Sequence, residues 1–214
     1  MSDVVAASTL SLGLSLTAVA LAAVPGIPLA AALGLARGRR RDALLVAARV
    51  AMSFPTVVVG LLVYGLLSRR GPLGGLGLLY TPTAIILAQA VIATPIVTGI
   101  TLASIQHLPA NLRLQILALG ATRVQMVWLL VKEARLPLLA AVMAGFGGVI
   151  SEVGASIMVG GNIRGYSRVL TTATVMETGR GNFDVAIALS VILMLLSFFV
   201  NAILTQIQQR ERPR

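Results

Sequence analysis

Cysteine is absent from the 214 residues, which excludes disulfides, thiolate nucleophiles and cysteine-based metal sites. Histidine occurs once, at His107, with no second histidine or carboxylate at metal-ligand spacing, so no metal site is expected. Lysine also occurs once. Lys132 follows Val131, and with no Gly-Lys-Ser/Thr run the chain has no P-loop of its own. The seven acids, Asp3, Asp42, Glu133, Glu152, Glu177, Asp184 and Glu211, form no evident acid/base pair in sequence, and no cofactor motif accompanies them. An enzyme is therefore not expected. Charged residues make up only 11% of the chain, where a soluble domain carries roughly a quarter.

What fills the sequence is apolar: 57% of residues are hydrophobic and the mean hydropathy is +0.93. Five runs are long enough to cross about 30 Å of hydrocarbon at 1.5 Å per residue. They lie near residues 9–36, 43–67, 82–105, 136–159 and 185–206. The expected fold is all-α, a polytopic membrane helix bundle forming one transmembrane domain over 9–206 with lipid as its solvent. The first run lacks a basic leader, since only Met1-Ser2-Asp3 precede it, and reads as a retained helix and not a signal peptide. Pro25, Pro28, Pro55 and Pro95 fall inside the runs, where kinks are expected and bundle neighbours re-satisfy the freed carbonyls.

The net charge of +10 does not form a basic face interleaved with aromatics, so nucleic acid is not an expected partner. The arginines punctuate the apolar runs instead. With the amino terminus outside, Arg37, Arg39, Arg40, Arg41, Arg113, Arg123, Lys132, Arg135, Arg210, Arg212 and Arg214 lie in the cytoplasm, against Arg69, Arg70, Arg164, Arg168 and Arg180 on the other side. That bias orients the chain, and an odd number of spans places the carboxy terminus inside. Arg49, one turn into the second run, can snorkel to the headgroups.

The fourth run carries Ala140, Ala144 and Gly148 at helical spacing, with Gly145 and Gly147 nearby, which predicts close approach to another helix. Between the third and fourth runs, residues 107–135 are too polar to cross and too apolar for a solvated loop. Pro109 opens a first short helix with Leu112, Ile116 and Leu119 as its stripe, and Gly120 stops it. Thr122 and Gln125 have capping-box spacing, followed by Val124, Val127, Trp128 and Val131 at i, i+3, i+4 and i+7. Such a pair either lies passively in the membrane interface, anchored by Trp128, or docks a partner.

The segment Ala118-Leu119-Gly120-Ala121-Thr122 with the distal Leu136-Pro137 resembles the signature loop of bacterial ATP-binding-cassette importer permeases, a helix pair inserted into the ATPase subunit. It departs from the family's Glu-Ala-Ala opening, where this chain has Leu114-Gln115-Ile116. The likeness continues through Ser151-Glu152-Val153-Gly154-Ala155, Val159-Gly160-Gly161-Asn162-Ile163-Arg164-Gly165, Arg168 to Thr172 and Glu177-Thr178, where it is similar to the oxyanion branch and to tungstate-uptake permeases in particular. It covers about the C-terminal half. The resemblance implies a plasma (inner) membrane permease subunit of a binding-protein-dependent importer, with molybdate or sulfate as alternative cargo. It also implies a second copy of the chain, cytoplasmic ATP-binding subunits that carry the ATPase activity, and an extracytoplasmic oxyanion-binding protein. Ala118, Leu119, Gly120, Ala121, Thr122 and Pro137 would couple to the ATPase.

For the pathway or gate the candidates are Ser151, Glu152, Gly154, Gly160, Gly161, Asn162 and Arg164. An acid inside a span costs roughly 2.5–3.5 kcal/mol, so Glu152 needs a partner or a wet cavity; it either gates or holds helices in register through Ser151 or a backbone group. A carboxylate repels a dianion, which favours those roles over substrate coordination. The turn Gly160–Gly165 either offers backbone N–H groups and a guanidinium to an anion or is an external loop needing φ > 0. Thr171, Thr172 and Thr174 either line a vestibule or bond backbone carbonyls. Met126, Met143, Met158, Met176 and Met194 read as packing. A secondary transporter driven by an ion gradient and a scaffold that only recruits a cytoplasmic partner are the competing classes, although five spans do not divide into two equal halves.

Overall fold

The computed structural model describes residues 2–35 and 39–210. Arg37, Glu211, Arg212 and Arg214 lie outside the described residues, and so do the side chains of Arg39, Arg40 and Arg41. Helix is the only extended secondary structure among the described residues: α1 Ser2–Leu35, α2 Arg39–Ala51, α3 Thr56–Leu67, α4 Pro82–Gln106, α5 Ala110–Ala118, α6 Arg123–Glu133, α7 Arg135–Ile150, α8 Gly154–Gly160, α9 Leu170–Gly179 and α10 Phe183–Arg210, with a 3-10 turn at Gly74–Leu76. An all-α bundle is what the apolar periodless runs predict, because hydrocarbon offers no hydrogen-bond partner and each segment must satisfy its own backbone.

Three helices, α1, α4 and α10, are continuous and apolar enough to cross a membrane. The runs expected as second and fourth crossings are broken. Leu45–Ala51 and Thr56–Leu67 meet at 98°, and α7 and α8 at 63°, so five crossings result only if each bent pair counts as one. At the first break, Pro55 stands as the N-cap of α3; it has no N–H to continue the preceding helix and disfavours helical geometry at Phe54. Pro25, Pro28 and Pro95, in contrast, sit inside α1 and α4 without ending them.

Thr81 caps α4 by accepting the Ala84 N–H at 3.3 Å, and Pro82 occupies the first turn, where a missing donor costs nothing. From there α4 runs through the centre, packed against α1, α7, α8 and α3. Half of its apolar window is buried, against 6% for α10, which lies at the periphery against α9 and α7. The central core joins Val19, Ile85, Ile92, Phe146, Val149 and Val159. Met126 is buried as expected and Met158 packs on that core, whereas Met194 is 65% exposed on α10 and packs on nothing central.

Small residues do set the α4–α7 approach, but along a different stripe from the one expected. Ala141 and Gly145 are buried, and a Cβ on Gly145 would lie 2.8 Å from Val97 Cγ2, while Ala144 is exposed. Gly148 contributes at the next turn, 3.3 Å from Ile96 Cδ1. A tighter contact joins the two broken spans: a Cβ on Gly60 would lie 2.6 Å from Ala155 Cα, so α3 and α8 touch backbone to backbone.

Candidate functional site

The α5–α6 pair sits at the end of the bundle where α1 and α4 finish. Its turn is locked from both sides. Gly120, at φ +74°, donates to the Leu117 carbonyl at 3.0 Å, and Ala121 donates to Ile116 at 3.3 Å, the two bonds that close a helix with a left-handed glycine. Thr122 Oγ1 then accepts the Gln125 N–H at 3.3 Å while Gln125 Oε1 accepts the Thr122 N–H at 2.8 Å, completing the capping box expected from the spacing.

The apolar residues of this pair divide between two faces. Ile116, Met126, Leu130 and Ala134 turn inward onto Ala31 of α1, Ile105 of α4 and Leu138 of α7. Leu114, Leu117, Leu119, Val124 and Trp128 project outward, with Leu119 86% exposed. Leu119, Val124 and Trp128, expected among the stripes of the two helices, thus belong to the outer ridge, and of the second stripe only Val127 and Val131 pack inward. Lys132 Nζ lies 5.1 Å from the Trp128 ring, a cation–π contact at the edge of that ridge. Ala118 and Thr122 are exposed beside it, and Pro137 is exposed in the first turn of α7.

Glu152 occupies the break between α7 and α8. Its Oε1 accepts the Ala155 N–H at 2.9 Å, and its carbonyl accepts the Thr171 hydroxyl at 2.9 Å. The buried carboxylate thus caps the first turn of α8, while the main-chain carbonyl of the same residue ties α9 to the break. Ser151 does not bond it; its hydroxyl donates to Gly147 O at 2.8 Å. Gly154 stands where a Cβ would meet Val57 Cγ2 at 3.0 Å, so the breaks of both bent spans abut.

One short helix further on, the Gly160–Gly165 turn has positive φ at Gly161, Asn162 and Gly165. Tyr80 donates its N–H to Val159 O at 2.7 Å, and its ring would meet a Cβ on Gly161 at 2.8 Å. Much of the turn is bonded to itself: Ile163 N–H donates to Ser167 Oγ at 3.1 Å, the Ser167 hydroxyl donates to Gly160 O, and Arg168 Nε donates to Asn162 Oδ1 at 3.1 Å. Arg164 pairs with Asp3 at the start of α1, which holds its guanidinium above the ordinary arginine value. These two residues line an open depression of about 380 Å³ together with Thr9, Tyr166 and Arg168.

Thr171, Thr172 and Thr174 all donate to backbone carbonyls, those of Glu152, Val169 and Leu170, the second of the two readings open for them. Glu177 accepts from Asn182 and Arg180, and these donors hold its carboxyl below the usual value. The candidate residues therefore fall into three separate places: the outer ridge, the double break, and the far turn with Asp3.

Two residues escaped the sequence reading. Gln89 is buried in mid-α4, where its Nε2 donates to Val149 O at 3.1 Å and its Oε1 accepts from Ser15 at 3.5 Å, linking α1, α4 and α7. A lone amide inside an apolar run was its available signal. Arg113 of α5 donates to Gly34 O at 3.2 Å and Ile105 O at 3.1 Å; in sequence it is only one more basic residue of a loop.

Residues 26–213 match the family described as binding-protein-dependent transport system inner membrane component. The chain belongs to this family. As a permease of that kind it is 39% identical to a probable anion ABC transporter permease protein of Haloferax volcanii, over 98% of this chain and 93% of that one. It is 40% identical to the tungstate uptake system permease protein TupB of Peptoclostridium acidaminophilum, over 94% of this chain and 88% of the relative. A crystal structure of an amino acid ABC transporter with histidines shares the fold, at a TM-score of 0.70 and 17% identity, over 98% of this permease and 94% of that chain.

Proposed function

We propose that this inner-membrane permease admits a tetrahedral oxyanion, tungstate foremost, under the control of ATP-binding subunits docked on the α5–α6 turn. The observation that carries the coupling is the outer ridge of Leu114, Leu117, Leu119, Val124 and Trp128, held on a turn whose two ends are both fixed by hydrogen bonds. An apolar ridge of this kind on a rigid support fits a protein groove better than bulk water. The cargo is carried over from relatives: a tungstate uptake permease and an anion permease, each about as similar to this chain as the other. Family membership favours ATP-driven import over an ion-gradient carrier or a scaffold.

Residues 9–206 act as one transmembrane domain, working as two copies around a shared pathway, with ATP hydrolysed on separate subunits and the anion delivered by an extracytoplasmic binding protein. The amino terminus lies outside and the carboxy terminus in the cytoplasm. In that orientation the ridge faces the ATPases, and the depression beside Asp3 and Arg164 faces the delivery protein. Closure of the ATPases displaces Gly120 and its flanking helices, and the abutting breaks at Pro55 and Glu152 are where the bent spans flex. Two states with different contacts at the ridge supply the coupling. Glu152 gates by holding the α8 start, and Gly160, Gly161, Asn162 and Arg164 form the outer rim; the exposed Arg164–Asp3 pair exchanges readily for an anion.

The test is ATPase activity in proteoliposomes holding this permease, its ATPase and its binding protein, with tungstate, molybdate and sulfate compared. Stimulation by tungstate at the lowest concentration supports the reading. Preference for molybdate or sulfate reassigns the cargo, and no stimulation by any of the three removes the oxyanion.

A further inference from the structure

The contact between the α5–α6 pair and the spanning helices has two parts of different character. The larger is apolar, Ile116, Met126 and Leu130 on Ala31, Ile105 and Leu138. Such a contact is non-directional, so alone it lets one surface slide over another. The second is a single guanidinium. Arg113 donates from one terminal nitrogen to the Gly34 carbonyl at 3.2 Å and from the other to the Ile105 carbonyl at 3.1 Å.

Gly34 lies next to Leu35, the last described residue of α1, and Ile105 lies in the last turn of α4, where the i+4 residue is Pro109, which has no N–H, and the backbone dipoles leave partial negative charge. Ile105 O also receives the Leu108 N–H at 3.3 Å, and Arg113 adds a charged donor to it. One side chain reaches both helices because they cross closely there: a Cβ on Gly34 would lie 3.0 Å from Ile105 Cγ2. A planar fork with fixed donor directions suits two acceptors side by side, which an ammonium cannot match.

We propose that Arg113 is the positioning residue that fastens the coupling helix to the ends of α1 and α4, so that movement of α5 carries both spans together. The inference rests on α5–α6 being the ATPase docking element. Without the fork, the ATPase still docks on the outer ridge but its movement is spent in sliding across the apolar contact.

The experiment compares wild type, Arg113→Lys, Arg113→Gln and Gly120→Trp, each co-purified with its ATPase and reconstituted with tungstate-loaded binding protein. Maximal stimulation of ATPase activity and the binding-protein concentration giving half of it are read separately. The expected result is a maximal stimulation lowered at least tenfold by Arg113→Gln and severalfold by Arg113→Lys, with half-saturation within twofold of wild type. Full stimulation in Arg113→Lys overturns the fork. An Arg113→Gln protein that no longer holds its ATPase also overturns the proposal, since Arg113 would then be a brace for docking. Should Gly120→Trp behave as wild type, the docking reading itself falls; should it be uncoupled while both Arg113 variants are stimulated normally, only the Arg113 inference falls.

Discussion

The candidate surfaces at the two ends of this bundle differ in what they hold together. At the α5–α6 end, apolar side chains point outward from the turn and the polar clasp, Arg113, points inward to Gly34 and Ile105. At the other end, apolar residues such as Ala7, Leu170, Ala173 and Leu189 are buried together, while Asp3, Arg164 and Arg180 stand in solvent. Apolar exposure suits a lasting protein neighbour, and exposed charge suits an encounter that forms and breaks. Under the proposed function, one end stays docked and the other meets a visitor.

The largest effect expected from attacking this contrast is at the docked end. Gly120→Trp forces a bulky L-residue into φ +74° at the tip of the ridge, where the chain leaves open space but the backbone does not tolerate a Cβ well. Membrane insertion is retained, and stimulated ATPase activity is lost; stimulation at the wild-type level would show that the ridge is not the transmission point. Next comes the double break. Gly60→Val drives a side chain into Ala155, and such overpacking costs about 1–3 kcal/mol, visible as a lower Tm in detergent.

A smaller loss is expected at the middle of α4. Gln89→Leu removes the donor to Val149 O and the acceptor for Ser15, worth about 1 kcal/mol in Tm measurements, because the reference state in the membrane also finds partners. The smallest is at the visiting end, where Asp3→Asn breaks an ion pair between side chains 58% and 71% exposed. Tm is expected to stay at the wild-type value, and a clear drop would mean that this end is structural and not an exposed encounter surface.

The apolar runs announced the class of fold, since hydrocarbon thickness alone fixes how many residues a crossing needs. Turn chemistry was equally local: Pro109, Gly120, Thr122 and Gln125 end and start helices by bonds within a few residues, so the α5–α6 pair could be read directly. What could not be read depended on distant partners. The 63° bend at Glu152 is held by α9 through Thr171, nineteen residues away, and the buried stripe on α7 is set by Val97 and Ile96 of α4, so that Ala144 is exposed and Gly145 is buried. Arg113 was invisible for the same reason. Its acceptors are 79 and 8 residues away, and only their carbonyls, not their side chains, matter.

The central claim is that ATP-driven closure of the subunits docked on the ridge moves an oxyanion across the membrane. Its most direct measurement is tungsten accumulated inside proteoliposomes that hold the permease with its ATPase, supplied with binding protein and tungstate, with and without ATP. Accumulation that requires ATP and vanishes in Gly120→Trp is the expected result, while accumulation that follows an imposed ion gradient without ATP would contradict the account.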